Sequence, residues 1–240
     1  KVYWEHGGQC GPEQANEIYS RMARFDYFGI PAMQEDEARE KGLLATIDRH
    51  TDEAYYAATA TLLQWPRLLA QRGDDLKLVY TPLHGSGLVP VTELLARVGL
   101  TNVSVVPEQA RPDPRFPTVS APNPEDPNAF ALAIRLANEV GADAILATDP
   151  DSDRMGLAVR KPDGAFAVLT GNKIGCLLLH YLLSSMKQKG TLPADGFVVK
   201  SLVSTRMAEA ICDRFDVACF DVPTGFRFIS EKIEESARTG

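Results

Sequence analysis

The sequence is poor in cysteine, carries no surplus of positive charge and has no long apolar run. Its 240 residues include four cysteines, widely spaced and without a Cys-x-x-Cys pair, so we expect reduced packing residues in a cytoplasmic protein. The net charge of -7, with no cluster of lysine and arginine, argues against a nucleic-acid partner. The lack of a membrane-length apolar stretch and of a signal peptide argues against a membrane partner.

The residues that are present alternate between strand and helix patterns. With 45% hydrophobic and 24% charged residues, the composition is that of a globular protein of one large or two smaller domains. Apolar patterning predicts strands at residues 1–4, 76–80, 102–106, 142–147, 197–200 and 217–221, and a hairpin turn at 161–164. It predicts helices at residues 12–25, 52–69, 88–98, 128–140, 172–187, 205–215 and 226–237. This alternation predicts an α/β fold of open parallel or mixed sheets flanked by helices.

The most informative run is residues 149–154, DPDSDR, which follows a predicted strand. Asp149, Asp151 and Asp153 alternate along it, and Arg154 comes directly after them. Carboxylates this close would repel one another strongly, and a divalent cation that prefers oxygen ligands would remove the repulsion. Mg²⁺ fits best because it keeps coordination positions open for a substrate phosphate. The alternative interpretation is a solvated acidic turn.

Two better-known motifs resemble this run, and both fail on its residues. An EF-hand loop needs glycine at its sixth position and glutamate at its twelfth, which counted from Asp149 are Arg154 and Arg160. A phosphatase of the haloacid-dehalogenase type would have threonine or valine where Asp153 stands. We therefore interpret residues 149–154, hereafter the metal loop, as a magnesium loop that handles phosphate.

Other polar clusters also follow predicted strands. Residues 81–87, TPLHGSG, contain His84, and their glycines would let backbone N–H groups approach an anion at a helix N-terminus. Lys200 ends one strand, Arg227 follows another, and residues 169–173 open a long helix. Ligands of open α/β sheets bind beyond the carboxyl ends of the strands, so these clusters are candidates for one site. Taken singly, each is also explained as a turn, a helix cap or a solvated surface group.

Taken in order, these segments resemble the α-D-phosphohexomutase superfamily of phosphoglucomutases and phosphomannomutases. The segments that carry the resemblance are residues 81–85 (TPLHG), 116–117 (FP), 122–125 (PNPE), 149–154 (DPDSDR), 170–172 (TGN), 200–201 (KS) and 223–228 (PTGFRF). The resemblance implies one complete phosphohexomutase domain with partial neighbours. It places a first-domain tail and linker at residues 1–45, the second domain at 46–192 and the first half of a third domain at 193–240.

Ser120 is similar to the family's phosphoserine but is not expected to be the nucleophile. It stands in the run SAPNP, which lacks the histidine of the Ser-His-Asn-Pro pattern and matches a second-domain segment instead. We therefore expect the phosphoserine loop to lie upstream of Lys1, and the sugar-binding loop and a fourth domain to lie outside this chain as well. A fragment of this kind is expected to have no mutase activity alone.

The resemblance also implies a reaction. Family members move a phosphoryl group between the 1- and 6-positions of a hexose phosphate, and glucose 1,6-bisphosphate serves as activator and intermediate. Mg²⁺ would bridge the phosphoserine and the three aspartates. We expect a phosphoglucomutase acting on glucose 1-phosphate and glucose 6-phosphate, with the remaining domains of the parent chain as partners. A phosphomannomutase or phosphopentomutase stays an alternative, and so does a non-catalytic metal- or anion-binding module.

Four further residues are assigned catalytic roles by the resemblance. Arg154 would place positive charge near the transferring phosphoryl group or support the metal loop. Lys200 is similar to a lysine considered for acid/base work, which burial beside other cations would favour by lowering its pKa. Arg227 replaces a common lysine and, because arginine stays protonated, would bind a phosphate or hydroxyl group. His84 resembles a family residue near the metal loop.

Overall fold

The structure, a computed structural model, describes residues 2–5 and 7–239. The chain divides into two compact units, of which one is Glu53–Thr191 and the other combines Lys1–Asp52 with Leu192–Gly240. Each unit holds a sheet of its own. Within the described ranges, no helix is both long enough and apolar enough to cross a bilayer.

Strands and helices alternate along most of the chain. The helices are α1 (Pro12–Met22), α2 (Glu35–Glu40), α3 (Arg49–Ala60), α4 (Pro66–Arg72), α5 (Leu88–Arg97), α6 (Ala131–Val140), α7 (Gly171–Lys189), α8 (Met207–Arg214) and α9 (Phe226–Thr239). The strands are β1 (Leu78–Thr81), β2 (Val103–Val105), β3 (Ala144–Thr148), β4 (Met155–Arg160), β5 (Phe166–Leu169), β6 (Phe197–Ser201) and β7 (Ala218–Val222). From β1 onward, each predicted strand and helix is present, with ends shifted by a few residues.

The unit Glu53–Thr191 is built on a sheet whose described strands run in the order β2-β1-β3-β4-β5. β1 pairs in parallel with β2 and β3, whereas β4 is antiparallel to both β3 and β5. The parallel pairs are joined by helical crossovers, and the antiparallel pairs by short turns. The predicted α/β fold with an open mixed sheet is therefore confirmed.

Small side chains let α6 lie close against this sheet. Ala133 and Ala137 are one helical turn apart on the same face, and both are fully buried. The helix contacts β1 and β3, and the buried ring of Phe130 precedes it. The shared core consists of Val79, Leu83, Val106, Ala129, Phe130, Ala133, Ala137, Ala142, Ile145, Ala147 and Ala158. This packing holds β1 and β3 side by side, so the loops that follow them leave the same edge of the sheet.

One predicted helix is wrong. The sequence predicts a single helix over residues 52–69, but the chain forms α3 and α4 with a break between them. The break precedes Pro66, whose ring disfavours helical backbone at Trp65, where φ is -131° and ψ is 62°. Pro66 then begins α4, a position that suits its missing N–H group.

The predicted strand at residues 1–4 is also not formed as a strand. Among the described residues 2–5 and 7–10, an isolated antiparallel bridge joins Tyr3 to Gln9, and Lys1 lies outside the described residues. A pair of short segments without a third strand buries too little surface to extend further.

The other unit carries β6 and β7, paired in parallel and covered by α8 and α9. Lys200 and Asp221 are partners in register across this pair. The four cysteines of the chain, all of them described, are free. Burial raises the pKa of the Cys212 thiol to about 12, which is typical of a packing residue.

Truncation of Phe130 tests the core. Phe130→Ala is expected to lower the free energy of unfolding by about 3–5 kcal/mol, because the lost ring leaves a buried cavity. The control Phe28→Ala removes a fully exposed ring and should change that free energy by less than about 0.5 kcal/mol. Urea denaturation followed by circular dichroism measures both, and equal losses would contradict the core assignment.

Candidate metal centre

The three predicted metal ligands lie on the turn that joins β3 to β4. Asp149 follows the last residue of β3 and is only 2% exposed, whereas Asp151 and Asp153 are exposed. One carboxylate oxygen from each residue lies within 4.8 Å of those of the other two. Because a hard divalent cation prefers clustered carboxylate oxygens, the residues present fit the predicted metal.

Arg154 closes this turn by binding Asp149. Its backbone N–H and its Nε donate to the two carboxylate oxygens of Asp149, each at 3.0 Å. In return the Asp149 N–H donates to the Arg154 carbonyl at 3.2 Å. Hydrogen bonds to a buried carboxylate from a charged donor are strong, so Arg154 supports the loop. Its side chain is still 55% exposed and presents positive charge to the surroundings.

The loop that follows β1 contacts the metal loop. The Pro150 carbonyl accepts two hydrogen bonds from Ser86, one from the backbone N–H at 2.9 Å and one from Oγ at 3.0 Å. Gly85 lies so close that a Cβ atom added to it would overlap Pro150 Cα. The two loops are thus brought together at the carboxyl edge of the sheet, where ligands of such folds bind.

His84 belongs to this loop, but its ring is engaged in a buried polar network. Its Nε2 lies 2.8 Å from Thr118 Oγ1, which also accepts a hydrogen bond from Gln109 Nε2 at 3.0 Å. Thr81 Oγ1 donates in turn to Gln109 Oε1 at 2.6 Å. The ring also packs edge-on against Phe116. These contacts give the buried histidine a structural role, and its catalytic role stays a prediction.

Sequence reasoning missed the residues that join neighbouring segments to the metal loop. Asn123 Oδ1 accepts a hydrogen bond from Arg154 Nη1 at 3.3 Å. Glu125 accepts one from the Gly171 N–H at 3.2 Å and so places a carboxylate at the N-terminus of α7, where the helix dipole favours it. The one available signal was the polar run at residues 122–125, whose contacts depend on the tertiary fold.

Lys200 lies in the other unit and is held by two carboxylates. Its Nζ forms ion pairs with Asp221 and, at 3.3 Å, with Glu209, and the side chain is 7% exposed. The hydrogen bond to Asp221 raises the pKa of Lys200; burial opposes this rise and Glu209 adds to it. The neighbours of Lys200 are thus anions, and not the cations whose presence would lower its pKa. The catalytic role of Lys200 stays a prediction.

Arg227 belongs to the same unit as Lys200 and lies in the first turn of α9. It is exposed, and its guanidinium carbon lies 4.5 Å from the centroid of the Phe228 ring. Gly225, just before the helix, has a φ of 131°, which a residue with a side chain rarely adopts. An exposed guanidinium at this position is suited to bind a phosphate group.

Two sequence models of one family match the chain, in order and without overlap. The alpha/beta/alpha domain II of phosphoglucomutase/phosphomannomutase matches residues 53–164, and domain III matches residues 170–240. The chain belongs to the phosphoglucomutase/phosphomannomutase family. The match to domain II contains residues 149–154, so the metal loop lies within the part of the chain that the family defines.

Curated members of the family are similar in sequence to most of this chain. The phosphoglucomutase of Staphylococcus saprophyticus is 32% identical over 239 residues, which is 99% of this chain and 42% of the relative. The phosphoglucomutase of Staphylococcus aureus strain USA300 is 37% identical over 162 residues, which is 68% of this chain and 29% of the relative. The chain therefore spans less than half the length of these relatives.

Solved structures of the family share the fold. A protein of Thermus thermophilus, provisionally assigned as a phosphomannomutase, aligns with a TM-score of 0.69 at 22% identity, over 96% of this chain and 46% of its own. A phosphoglucomutase/phosphomannomutase family protein of Burkholderia thailandensis aligns with a TM-score of 0.53 at 19% identity, over 71% of this chain and 36% of its own. At these identities the likeness supports the α/β fold alone.

The ion pairs of Lys200 predict a pH dependence of stability. A raised pKa in the folded state stabilises the protein below the unfolded pKa of lysine, about 10.4, and this stabilisation is lost as pH rises through the folded value. Lys200→Met should therefore cost more free energy of unfolding at about pH 8 than at about pH 11. The control Lys161→Met removes an exposed lysine and should cost little at either pH. A cost for Lys200→Met that stays constant across this range would contradict the assignment.

Proposed function

We propose that this chain is the central part of a phosphoglucomutase that interconverts glucose 1-phosphate and glucose 6-phosphate. The observation that carries the proposal is the convergence of three carboxylates on one loop of a phosphoglucomutase/phosphomannomutase domain. The curated phosphoglucomutase relatives favour glucose over mannose or a pentose. Because the chain spans less than half of their length, the activity proposed is that of a longer parent protein.

Asp149, Asp151 and Asp153 are proposed to hold Mg²⁺. A cation bound there would supply positive charge against the negative charge of the transferring phosphoryl group. Arg154 keeps the Asp149 carboxylate in a fixed orientation through its two hydrogen bonds. Its exposed guanidinium is proposed to contact the same phosphoryl group.

Lys200 and Arg227 are proposed to bind the sugar phosphate as cations. The raised pKa of Lys200 keeps its ammonium group charged, which favours electrostatic contact with an anion over removal of a proton. Arg227 stays protonated and presents an exposed fork of N–H donors to a phosphate or hydroxyl group. His84 is proposed to support the loop at residues 81–87 through its bond to Thr118.

The phosphoryl donor is proposed to be a phosphoserine supplied by another part of the parent protein. No serine of the sequence is followed by His-Asn-Pro, and Ser120 is followed by Ala-Pro-Asn. Glucose 1,6-bisphosphate would be the intermediate, and the cytoplasm the location. The division into a first-domain tail at residues 1–45, a second domain at 46–192 and part of a third at 193–240 is part of this proposal.

Magnesium binding tests the ligand assignment. Calorimetric titration with Mg²⁺ is expected to show binding by the unsubstituted chain and about tenfold or more weaker binding by Asp151→Asn, which loses a charged oxygen ligand. The control Asp163→Asn makes the same charge change in the hairpin between β4 and β5 and should leave the affinity unchanged. Equal affinities of the unsubstituted chain and Asp151→Asn would overturn the assignment.

A turnover assay tests the proposed division of the parent enzyme. The 240-residue chain, given glucose 1-phosphate, glucose 1,6-bisphosphate and Mg²⁺, is expected to form no glucose 6-phosphate, because it lacks a phosphoserine loop of the Ser-His-Asn-Pro pattern. The parent protein, assayed alongside, should turn over. Sustained turnover by the chain alone would show that its own residues complete the site.

A further inference from the structure

The metal loop has a shape that its own residues do not favour. Ser152 adopts a left-handed backbone conformation with φ of 59°, which is uncommon for a residue with a side chain. Its Oγ is buried and has no hydrogen-bond partner among the described residues. The three carboxylates on the same loop also repel one another. Strain of this kind persists only where surrounding structure holds the chain in place.

The surrounding structure is the end of the loop that follows β1. Ser86 donates twice to the Pro150 carbonyl, at 2.9 and 3.0 Å, and Pro150 lies between two of the predicted ligands. Gly85 fits against Pro150 only because it has no side chain. Residues 85 and 86 thus hold the metal loop at Pro150.

Gly87 also lies against the metal loop. A Cβ atom at this position would overlap Tyr80 Oη and would lie 2.7 Å from Thr148 Oγ1 and 2.8 Å from Ser152 Oγ. Tyr80 and Thr148 are hydrogen-bonded to each other at 2.8 Å; Tyr80 is the next-to-last residue of β1 and Thr148 the last residue of β3. Since φ at Gly87 is an ordinary -72°, alanine suits the backbone there, and its only cost is displacement of these three hydroxyl groups.

We propose that residues 85–87 are positioning residues for the metal centre. They hold residues 149–154 in the conformation in which the three aspartate side chains converge. This role rests on the proposed Mg²⁺ site and goes beyond it, because it assigns part of the metal affinity to residues that do not touch the metal.

Substitution of Ser86 tests the positioning role without disturbing the core, because Ser86 is exposed. Ser86→Ala loses one of the two hydrogen bonds to Pro150 and is expected to weaken cation binding about threefold to tenfold. Ser86→Thr keeps the hydroxyl group and should restore the affinity to within about twofold. The melting temperature without metal should be the same for the unsubstituted chain, Ser86→Ala and Ser86→Thr. A fall in melting temperature with unchanged affinity would overturn the positioning role.

Substitution of Gly87 tests the same role at a second contact with the metal loop. Gly87→Ala is expected to weaken cation binding about tenfold or more, because its methyl group displaces three hydroxyl groups, that of Ser152 among them. The control Gly175→Ala adds the same methyl group to α7 in open space and should leave affinity unchanged. Equal affinities of the two variants would contradict the role of Gly87.

The probe for both substitutions is Mn²⁺, titrated into the 240-residue chain with free ion followed by electron paramagnetic resonance and competed with Mg²⁺. If the unsubstituted chain binds neither ion, the proposed magnesium site itself fails. If it binds both ions and Asp151→Asn binds them more weakly, the site stands. In that case, Ser86→Ala and Gly87→Ala variants that bind as tightly as the unsubstituted chain would overturn the positioning role alone.

Discussion

The electrostatic repulsion among three carboxylates is the constraint on which the rest of the site depends. Asp149, Asp151 and Asp153 bring carboxylate oxygens within 4.8 Å of one another on a single turn. Arg154 offsets part of that charge by binding Asp149, the most buried of the three. A divalent cation would offset more, which is the physical reason to expect a metal at this position.

The fold provides the conditions under which such a turn can persist. Because β1 and β3 are parallel neighbours, their following loops leave the same edge of the sheet and contact each other through Ser86 and Pro150. Alanines on α6 allow the close helix packing that keeps the two strands in the core. The conformation of the metal loop therefore depends on the sheet, although the residues that would bind the metal lie within one short segment of the sequence.

Local sequence patterns predicted the secondary structure and the position of the metal loop. Apolar alternation located the strands and helices, and the spacing of the aspartates located the metal loop. The break before Pro66 was available from the sequence, since proline disfavours helix at the preceding residue, but the helical spacing over residues 52–69 outweighed it. The pKa of Lys200 depends on Asp221 and Glu209, and the hydrogen bonds of His84 depend on Thr118. These pairings follow from strand register and loop packing, which no local pattern contains.

The most direct test of a metal held by three aspartates is anomalous X-ray scattering from crystals of the chain soaked in Mn²⁺, an ion that takes similar oxygen ligands. We expect one strong peak on the turn between β3 and β4, with carboxylate oxygens of Asp149, Asp151 and Asp153 as its protein ligands. A well-ordered turn without a peak, or a peak bound by other residues, would contradict it.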